Sequence, residues 1–214
     1  MNNNSKLRDF ALMSMFVSII FIMTFSPIGF IPLPFAMNAT IVHVPVIIGS
    51  IVLGPRAGAI LGFFFGVGSL IRATISPTLL SFVFSPLIPF PGADRGSAWA
   101  LLVCFVPRVL VGIVPYYADK FLANIIRKGM GRRVIPPFVA GIAGSMTNTI
   151  LVMLLIFLIF GDAYARAMNV ASELVHGMIL TVVFVHGIPE ALVAGIFTYA
   201  VCKTLDAITE KRGL

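Results

Sequence analysis

The sequence predicts an all-α membrane protein, a bundle of six transmembrane helices with both termini in the cytoplasm. Hydrophobic residues make up 59% of the 214 residues and charged residues only 11%, whereas a soluble domain carries about 25% charged residues. The mean hydropathy is +1.05. Apolar segments of the length that crosses a bilayer, about 20 residues, recur along the chain.

Prolines and glycines divide the apolar sequence into six expected spans. The first covers residues 9–29, and Pro32 and Pro34 argue against helix in the apolar stretch that follows. The second is short and stops at Gly54-Pro55, a dipeptide typical of helix ends. The spans are 9–29, 41–53, 56–75, 98 to about 117 (continuing as helix toward residue 127), 135–160 and 174–205, all within one domain, residues 1–214.

Two loops between these spans are expected to be unusual. Residues 30–40 are apolar and proline-punctuated. Residues 76–97 carry four prolines and the adjacent Asp94 and Arg95, so they are expected to form a long outer loop that contains an apolar half-helix.

Basic residues give the orientation. Cytoplasmic loops of membrane proteins are enriched in lysine and arginine. With six spans, eleven basic residues fall on the side of both termini and two, Arg95 and Arg166, on the other, leaving Arg72 and Arg108 in or near the membrane. The eleven are Lys6, Arg8, Arg56, Lys120, Arg127, Lys128, Arg132, Arg133, Lys203, Lys211 and Arg212. The net charge of +7 is therefore a topology signal, and it indicates no nucleic-acid partner.

Small residues recur every four positions on several spans, which allows close helix packing in lipid. Gly58, Gly62 and Gly66 form such a row on the third span, and the interpretation for it and for similar rows on the fifth and sixth is internal packing. The first span, with Ser14 and Ser18, differs because it can face a partner.

Polar residues inside spans are the functional candidates, because each is costly in hydrocarbon. Arg108, Asn148, His186 and Glu190 are placed in the middle and outer half of the bundle, where they can converge. Each also has a structural interpretation: Arg108 and Glu190 can neutralise each other, and Asn148 can join two helices. The isolated histidines, His186 and His43, can be packing residues.

Two residues near the membrane surface, Arg72 and Trp99, also have both a ligand-binding and a structural interpretation. Arg72 either binds ligand or reaches to the membrane surface. Trp99 is either a membrane-interface residue or the wall of an outward-facing pocket.

Enzymatic sequence motifs are missing. The chain contains no metalloprotease, serine hydrolase or Walker A pattern, no Cys/His metal spacing and no paired intramembrane acids. The sequence therefore predicts no catalysis, no cofactor and no metal. A stand-alone secondary transporter is a different-class alternative, although no internal repeat of the usual kind is evident.

Five short motifs in order along most of the chain carry a family resemblance. They are residues 43–49 (His-Val-Pro-Val-Ile-Ile-Gly), residues 53–62 (Leu-Gly-Pro-Arg-Ala-Gly-Ala-Ile-Leu-Gly), Pro107-Arg108 with Gly112, residues 144–149, and Pro189-Glu190-Ala191. Together they resemble the substrate-specific S components of energy-coupling factor (ECF) vitamin transporters, and the first motif most resembles pantothenate-type members. Other vitamins, namely pyridoxine, hydroxymethylpyrimidine or riboflavin, remain alternatives.

The resemblance implies a plasma-membrane subunit that captures a vitamin from outside and associates with a membrane coupling (T) subunit and two cytoplasmic ATPases. It also implies that residues 30–40 are a lid carrying Asn38, and that the last three spans line the site. The docking surface implied on the first span is Ser14 and Ser18, with Ala11 one turn earlier.

Pantothenate chemistry selects the expected ligand contacts. A buried carboxylate needs a cation or several N–H donors, its hydroxyls and amide need neutral polar partners, and its gem-dimethyl group needs apolar walls. The candidates are Arg72, Arg95 and Arg108 for the carboxylate, Asn38, His43, Thr147 and Asn148 for the polar groups, Phe35 and Trp99 for the walls, and His186 as a further contact.

Overall fold

The structure is a computed structural model that describes residues 3–33, 37–126 and 131–212. Its described part contains eight α-helices and one β-hairpin. In chain order these are α1 (Asn3–Phe25), β1 (Phe30–Leu33), β2 (Met37–Thr40), α2 (His43–Leu53), α3 (Pro55–Ile75), α4 (Ala100–Val111), α5 (Val114–Ile125), α6 (Gly131–Met168), α7 (Val175–Thr181) and α8 (Ile188–Arg212).

The helices account for the predicted spans. Five helical stretches are long and apolar enough to cross a membrane, and α2 is a sixth, shorter apolar helix. The pair α4 and α5 makes one of the long stretches, and α7 and α8 belong to another. The all-α membrane fold is thereby confirmed, and α2 ends at Leu53, directly before Gly54-Pro55, as predicted.

The proline-punctuated stretch after α1 is a hairpin. Strands β1 and β2 pair antiparallel, with Pro32 opposite Asn38 and Phe30 opposite Thr40. The Ile41 N–H donates to the Gly29 carbonyl across the base of the hairpin (2.9 Å). A short 3₁₀ turn, Pro27–Gly29, connects α1 to the hairpin, and α2 begins shortly after β2. We call this end of the bundle the hairpin end.

Four expected element bounds are corrected. The first span, expected to reach residue 29, ends as an α-helix at Phe25. The loop before α4 holds a single 3₁₀ turn, Ser81–Val83, instead of a half-helix, because Pro86 has no N–H to extend the turn. The fourth span is interrupted between α4 and α5, where Pro115 starts a new helix. The fifth continues past a kink at Phe160 to Met168, beyond its predicted end at residue 160.

Close glycine contacts join α3 to α4 in a surface that we call the glycine seam. A Cβ added at Gly58 would overlap the Gly112 carbonyl oxygen, and one at Gly62 would overlap the Arg108 carbonyl. The Ser50 hydroxyl of α2 donates to the Gly112 carbonyl at 2.6 Å. The predicted use of this row for internal packing is confirmed.

Helices α6 and α8 pack in the same close manner. An added Cβ at Gly141 would meet the Ala194 backbone, and one at Gly195 would meet Phe138. Toward the hairpin end, Val152 and Phe160 of α6 lie in one apolar core cluster with Ala100, the first residue of α4. Helix α6 therefore runs toward the hairpin end, antiparallel to α2, α4 and α8.

Candidate functional site: a polar cluster beneath the hairpin

The first turn of α2 and the last turn of α4 bring two basic side chains into the interior. His43 is 1% exposed and Arg108 is 7% exposed, and they lie within electrostatic range of each other. Neither ring nitrogen of His43 has a hydrogen-bond partner among the described residues. An unpaired buried polar atom carries a desolvation cost that the protein itself does not offset.

The Arg108 side chain extends back along α4 toward the hairpin end. Its Nη1 donates to the Val103 carbonyl at 2.9 Å. Its guanidinium carbon lies 4.8 Å from the ring centre of Phe84 and 5.6 Å from that of Phe65. Aromatic faces attract a cation but do not neutralise it, and the Arg108 Nε has no partner in the described chain. A buried positive charge is thus available to an anion.

Helix α6 contributes uncharged polar groups at the same depth. Ile47 of α2 packs where a Cβ on Gly144 would lie. His43 lies one turn before Ile47 on α2, and Asn148 lies one turn after Gly144 on α6. Because the two helices are antiparallel, both residues are displaced toward the hairpin end and lie at the same level. The Asn148 Oδ1 and the hydroxyl of Ser145 are buried without hydrogen-bond partners among the described residues.

Helix α8 contributes an acidic residue, Glu190, to this region. Its Oε1 accepts the backbone N–H of Thr40 at 2.6 Å, so it lies close to His43, three residues further along the chain. The alternative that Glu190 and Arg108 form a buried ion pair is not what the described residues show. The guanidinium of Arg108 contacts the Val103 carbonyl and two rings instead.

We call His43, Arg108, Ser145, Asn148 and Glu190 the polar cluster. Seven buried side-chain polar atoms in the described chain have no hydrogen-bond partner, and five of them belong to this cluster. Buried polar groups are nearly always paired within a protein, and unpaired ones call for an explanation. The carboxyl group of Glu190 already accepts the Thr40 N–H, so the groups of the cluster with unpaired atoms are one cation and several neutral donors and acceptors. This set suits a small polar ligand that carries one negative charge.

Sequence comparison gives this cluster a family context. A family model described as "ECF transporter, substrate-specific component" matches residues 8–202. The chain belongs to this family. It is a multi-pass membrane protein of the plasma membrane, and as an S component it takes a vitamin as substrate and works with an ECF module.

Two relatives of this S component cover almost its whole length. The pantothenic acid transporter PanT of Lactococcus lactis subsp. cremoris is 38% identical over 202 residues, which is 94% of this chain and 95% of the relative. The pantothenate transporter PanT of Leuconostoc mesenteroides subsp. mesenteroides is 28% identical over 219 residues, 99% of this chain and 98% of the relative.

Some predicted contacts of the S component lie away from the polar cluster. The Arg72 guanidinium donates to the Thr24 carbonyl at the end of α1, so it joins α3 to α1. Arg95 is exposed in the loop before α4. Thr147 differs from these two because it is adjacent to Asn148 of the cluster on α6, and its hydroxyl donates to the carbonyl of Ala143 one turn earlier (2.7 Å).

Two further predicted contacts are described in part, and a third is not described. His186 is half-buried in a π-helical segment, Val182–Gly187, that leads into α8. Asn38 is described only by its pairing with Pro32 in the hairpin. Phe35 lies outside the described residues.

Trp99 lines a different cavity, of about 390 Å³, at the start of α4. Its side chain is 60% exposed. The cavity is walled by aromatic and polar residues of the loop before α4 and of the end of α6, and it includes no member of the polar cluster. Its lining is Phe90, Ser97, Trp99, residues 157–163, Ser172 and Val175.

The structure adds Ser145 to the candidate set and gives Glu190 a partner that sequence reasoning missed. Ser145 is a short hydroxyl residue within a helix, where most such residues bond back to their own backbone, so nothing local singled it out. The contact of Glu190 with Thr40 joins residues 150 positions apart, which only the fold brings together.

The predicted docking residues lie on an open side of α1. Ala11, Ser14 and Ser18 are all exposed, whereas Phe16 and Ile20 on the opposite side are buried. The Ser14 hydroxyl donates to the Phe10 carbonyl (3.0 Å) and the Ser18 hydroxyl to the Ser14 carbonyl (2.9 Å). Both hydroxyls therefore have hydrogen-bond partners within α1, so neither needs a partner from a neighbouring helix.

Proposed function

We propose that this S component captures pantothenate from outside the cell for ATP-driven uptake. The observation that carries the proposal is the buried guanidinium of Arg108, whose Nε has no described partner, inside a cluster of neutral polar groups. A carboxylate is the natural complement of such a group, because a charge-assisted hydrogen bond is about twice as strong as a neutral one. The names of both relatives point to the same ligand.

In the proposed complex, Arg108 binds the carboxylate of pantothenate. His43, Ser145, Asn148 and the neighbouring Thr147 offer hydrogen bonds to its two hydroxyls and its amide. Arg108 is preferred to Arg72 and Arg95 because Arg72 lies on the Thr24 carbonyl and Arg95 is exposed.

Aromatic side chains and the hairpin are proposed to surround the bound vitamin. Phe65 and Phe84, which flank Arg108, offer apolar walls for the gem-dimethyl group. The hairpin is proposed as the lid. Asn38, Phe35 and His186 remain proposed contacts of the vitamin. Trp99 is left out of the proposed site because it lines the separate cavity.

The hairpin end is proposed to face the outside and both termini the cytoplasm. The two basic residues assigned to the outside by sequence, Arg95 and Arg166, lie in the loop before α4 and near the end of α6. Arg56 and Lys120 lie at the opposite end, at the start of α3 and late in α5. This asymmetry agrees with the enrichment of basic residues in cytoplasmic loops.

The ECF module is proposed to consist of a membrane coupling subunit and two cytoplasmic ATPases, which hydrolyse ATP while this chain stays non-catalytic. The exposed small-residue side of α1 is the proposed contact with the coupling subunit. Small side chains allow two helix backbones to approach closely in lipid, where packing rather than hydrophobicity drives association.

Equilibrium binding of labelled vitamins to the purified protein tests the proposal. Pantothenate is expected to bind, and riboflavin, pyridoxine and hydroxymethylpyrimidine are expected not to compete. Competition by one of these three, without pantothenate binding, would reassign the vitamin. Uptake by this chain alone in liposomes, with no ATPase partner, would instead indicate a stand-alone transporter.

A further inference from the structure

One contact joins the hairpin to the last helix of the bundle. The Oε1 atom of Glu190 accepts the backbone N–H of Thr40 at 2.6 Å. It joins a strand of the hairpin to a residue 150 positions further along the chain. Thr40 is the last residue of β2, so the contact holds the hairpin at the point where it enters α2.

The sequence around Glu190 explains why a carboxylate is presented there. Pro189 has no N–H, so the Val185 carbonyl lacks its normal donor four residues on. The helix accommodates the missing hydrogen bond by forming the π-helical segment Val182–Gly187. A π turn inserts about one extra residue and so changes the face that the following helix presents, and that face carries Glu190 toward the hairpin.

The contact lies beside the polar cluster. His43 follows Thr40 by three residues, and its ring is 1% exposed. A ligand held by Arg108 and Asn148 therefore has the base of the hairpin next to it. Any movement of β2 away from α8 must first break the bond between Glu190 and Thr40.

We infer that Glu190 is a positioning residue whose carboxylate latches the hairpin closed over the polar cluster, so that it sets the rate at which bound ligand escapes. The inference rests on the proposed function for the ligand, but the latch itself is a property of the ligand-free chain. Hydrogen bonds to charged groups in partly buried places are among the stronger ones in proteins. Loss of the latch thus speeds dissociation while changing association little, as is usual for contacts made after encounter.

Three variants and one control isolate the latch. Glu190→Ala removes the acceptor, and Glu190→Gln keeps an acceptor oxygen but loses the charge. Thr40→Pro removes the donated N–H from the other side. Glu173→Ala is the matched control, because Glu173 is exposed in the 3₁₀ turn before α7.

Pantothenate dissociation is measured by chasing labelled with unlabelled vitamin. Glu190→Ala is expected to speed dissociation by about tenfold or more, Glu190→Gln by less, and Glu173→Ala not at all. Thr40→Pro is expected to match Glu190→Ala, and the double variant to be no faster than either single one. Fast dissociation in Glu190→Ala with wild-type dissociation in Thr40→Pro would mean that Glu190 touches the ligand, and would overturn the latch.

Amide hydrogen exchange at Thr40 in the ligand-free protein separates the latch from the choice of vitamin. The Thr40 amide is expected to be protected in the wild type and in Glu173→Ala, and to exchange at least about tenfold faster in Glu190→Ala. Equal exchange in the wild type and Glu190→Ala overturns the latch whether or not pantothenate binds. Absence of pantothenate binding in the wild type, with Thr40 protected by Glu190, overturns the proposed vitamin alone.

Discussion

The glycine seam and the polar cluster share helices and lie a few turns apart. They differ in whether their polar groups have hydrogen-bond partners. In the seam, the Ser50 hydroxyl of α2 is bonded to the Gly112 carbonyl at 2.6 Å. In the cluster, two turns earlier on α2, neither nitrogen of His43 has a described partner. Arg108 belongs to both regions, since its carbonyl packs on Gly62 while its guanidinium lies in the cluster.

This difference distinguishes the residues that stabilise the helix bundle from those that are available to bind a ligand. Gly58 and Gly62 of the seam approach backbone atoms of Gly112 and Arg108, and the Ser50 hydroxyl has its hydrogen-bond partner, so these contacts require no other molecule. The cluster has buried groups whose hydrogen bonds are unmade within the described chain, a cost that a protein keeps mainly at functional sites. Substitutions in the seam are therefore expected to affect folding, and substitutions in the cluster to affect binding.

The largest effect is expected at the seam itself. Gly58→Ala places a Cβ against the Gly112 carbonyl, a backbone atom that cannot move aside. We expect a loss of stability of more than about 4 kcal/mol, or no folded protein. The control is Gly177→Ala, whose Cβ would have open space. Thermal unfolding in detergent measures both, and a stable Gly58→Ala protein would contradict the close approach.

The seam was open to prediction because its signal is local and periodic. Glycines every four residues on one helix predict a close helix neighbour whatever that neighbour is. The stop at Gly54-Pro55 and the non-helical stretch around Pro32 follow from proline and glycine chemistry alone. What the sequence could not supply was the partner, because Gly112, directly after α4, is far from Gly58 along the chain.

Most residues of the cluster were predicted from the sequence, but the contact that Glu190 makes was not. Arg108, Asn148 and His43 stand out because polar residues are rare in these spans. The same reasoning left Arg108 and Glu190 as a possible pair, because both are charged and both are deep. Only the fold shows that Glu190 contacts a backbone N–H of the hairpin, and backbone groups leave no trace in a sequence pattern.

The second prediction concerns a cluster residue that makes no described hydrogen bond. His43→Phe keeps a ring of similar size and removes two buried nitrogens without partners. We expect unchanged or higher stability of the ligand-free protein, because no hydrogen bond is lost. Pantothenate affinity is expected to fall by about tenfold or more. A drop in melting temperature with full affinity would assign His43 to the scaffold instead.

The third prediction is a matched pair of serines. Ser50→Ala removes the donor to the Gly112 carbonyl, and Ser26→Ala removes a buried hydroxyl that has no partner in the described chain. We expect Ser50→Ala to lose about 1 kcal/mol of stability and Ser26→Ala to lose nothing measurable. Pantothenate binding should be unchanged in both, as calorimetric titration can check. Equal melting temperatures would remove the distinction between satisfied and unsatisfied hydroxyls.

The smallest effect on the isolated chain is expected on α1. Ser14→Leu adds bulk to the exposed small-residue side, which packs on nothing in the described chain. Folding and pantothenate affinity should stay at wild-type values. Co-purification with the coupling subunit should fall sharply, while the control Met15→Leu, an exposed apolar exchange on the next residue, should leave it intact. Normal co-purification of Ser14→Leu would exclude this side as the docking surface.

The central claim is that Arg108 binds the carboxylate of the vitamin, and a cycle of two ligands on two proteins tests it most directly. Pantothenol is the neutral analogue of pantothenate, with an alcohol in place of the carboxylate. The wild type is expected to bind pantothenate at least about a hundredfold more tightly than pantothenol, since a buried charge pair is worth several kcal/mol relative to an unpaired charge. In Arg108→Ala the preference for pantothenate should be lost or reversed, because its carboxylate would enter the site without a charged partner. A preference for pantothenate that persists in Arg108→Ala would contradict the account.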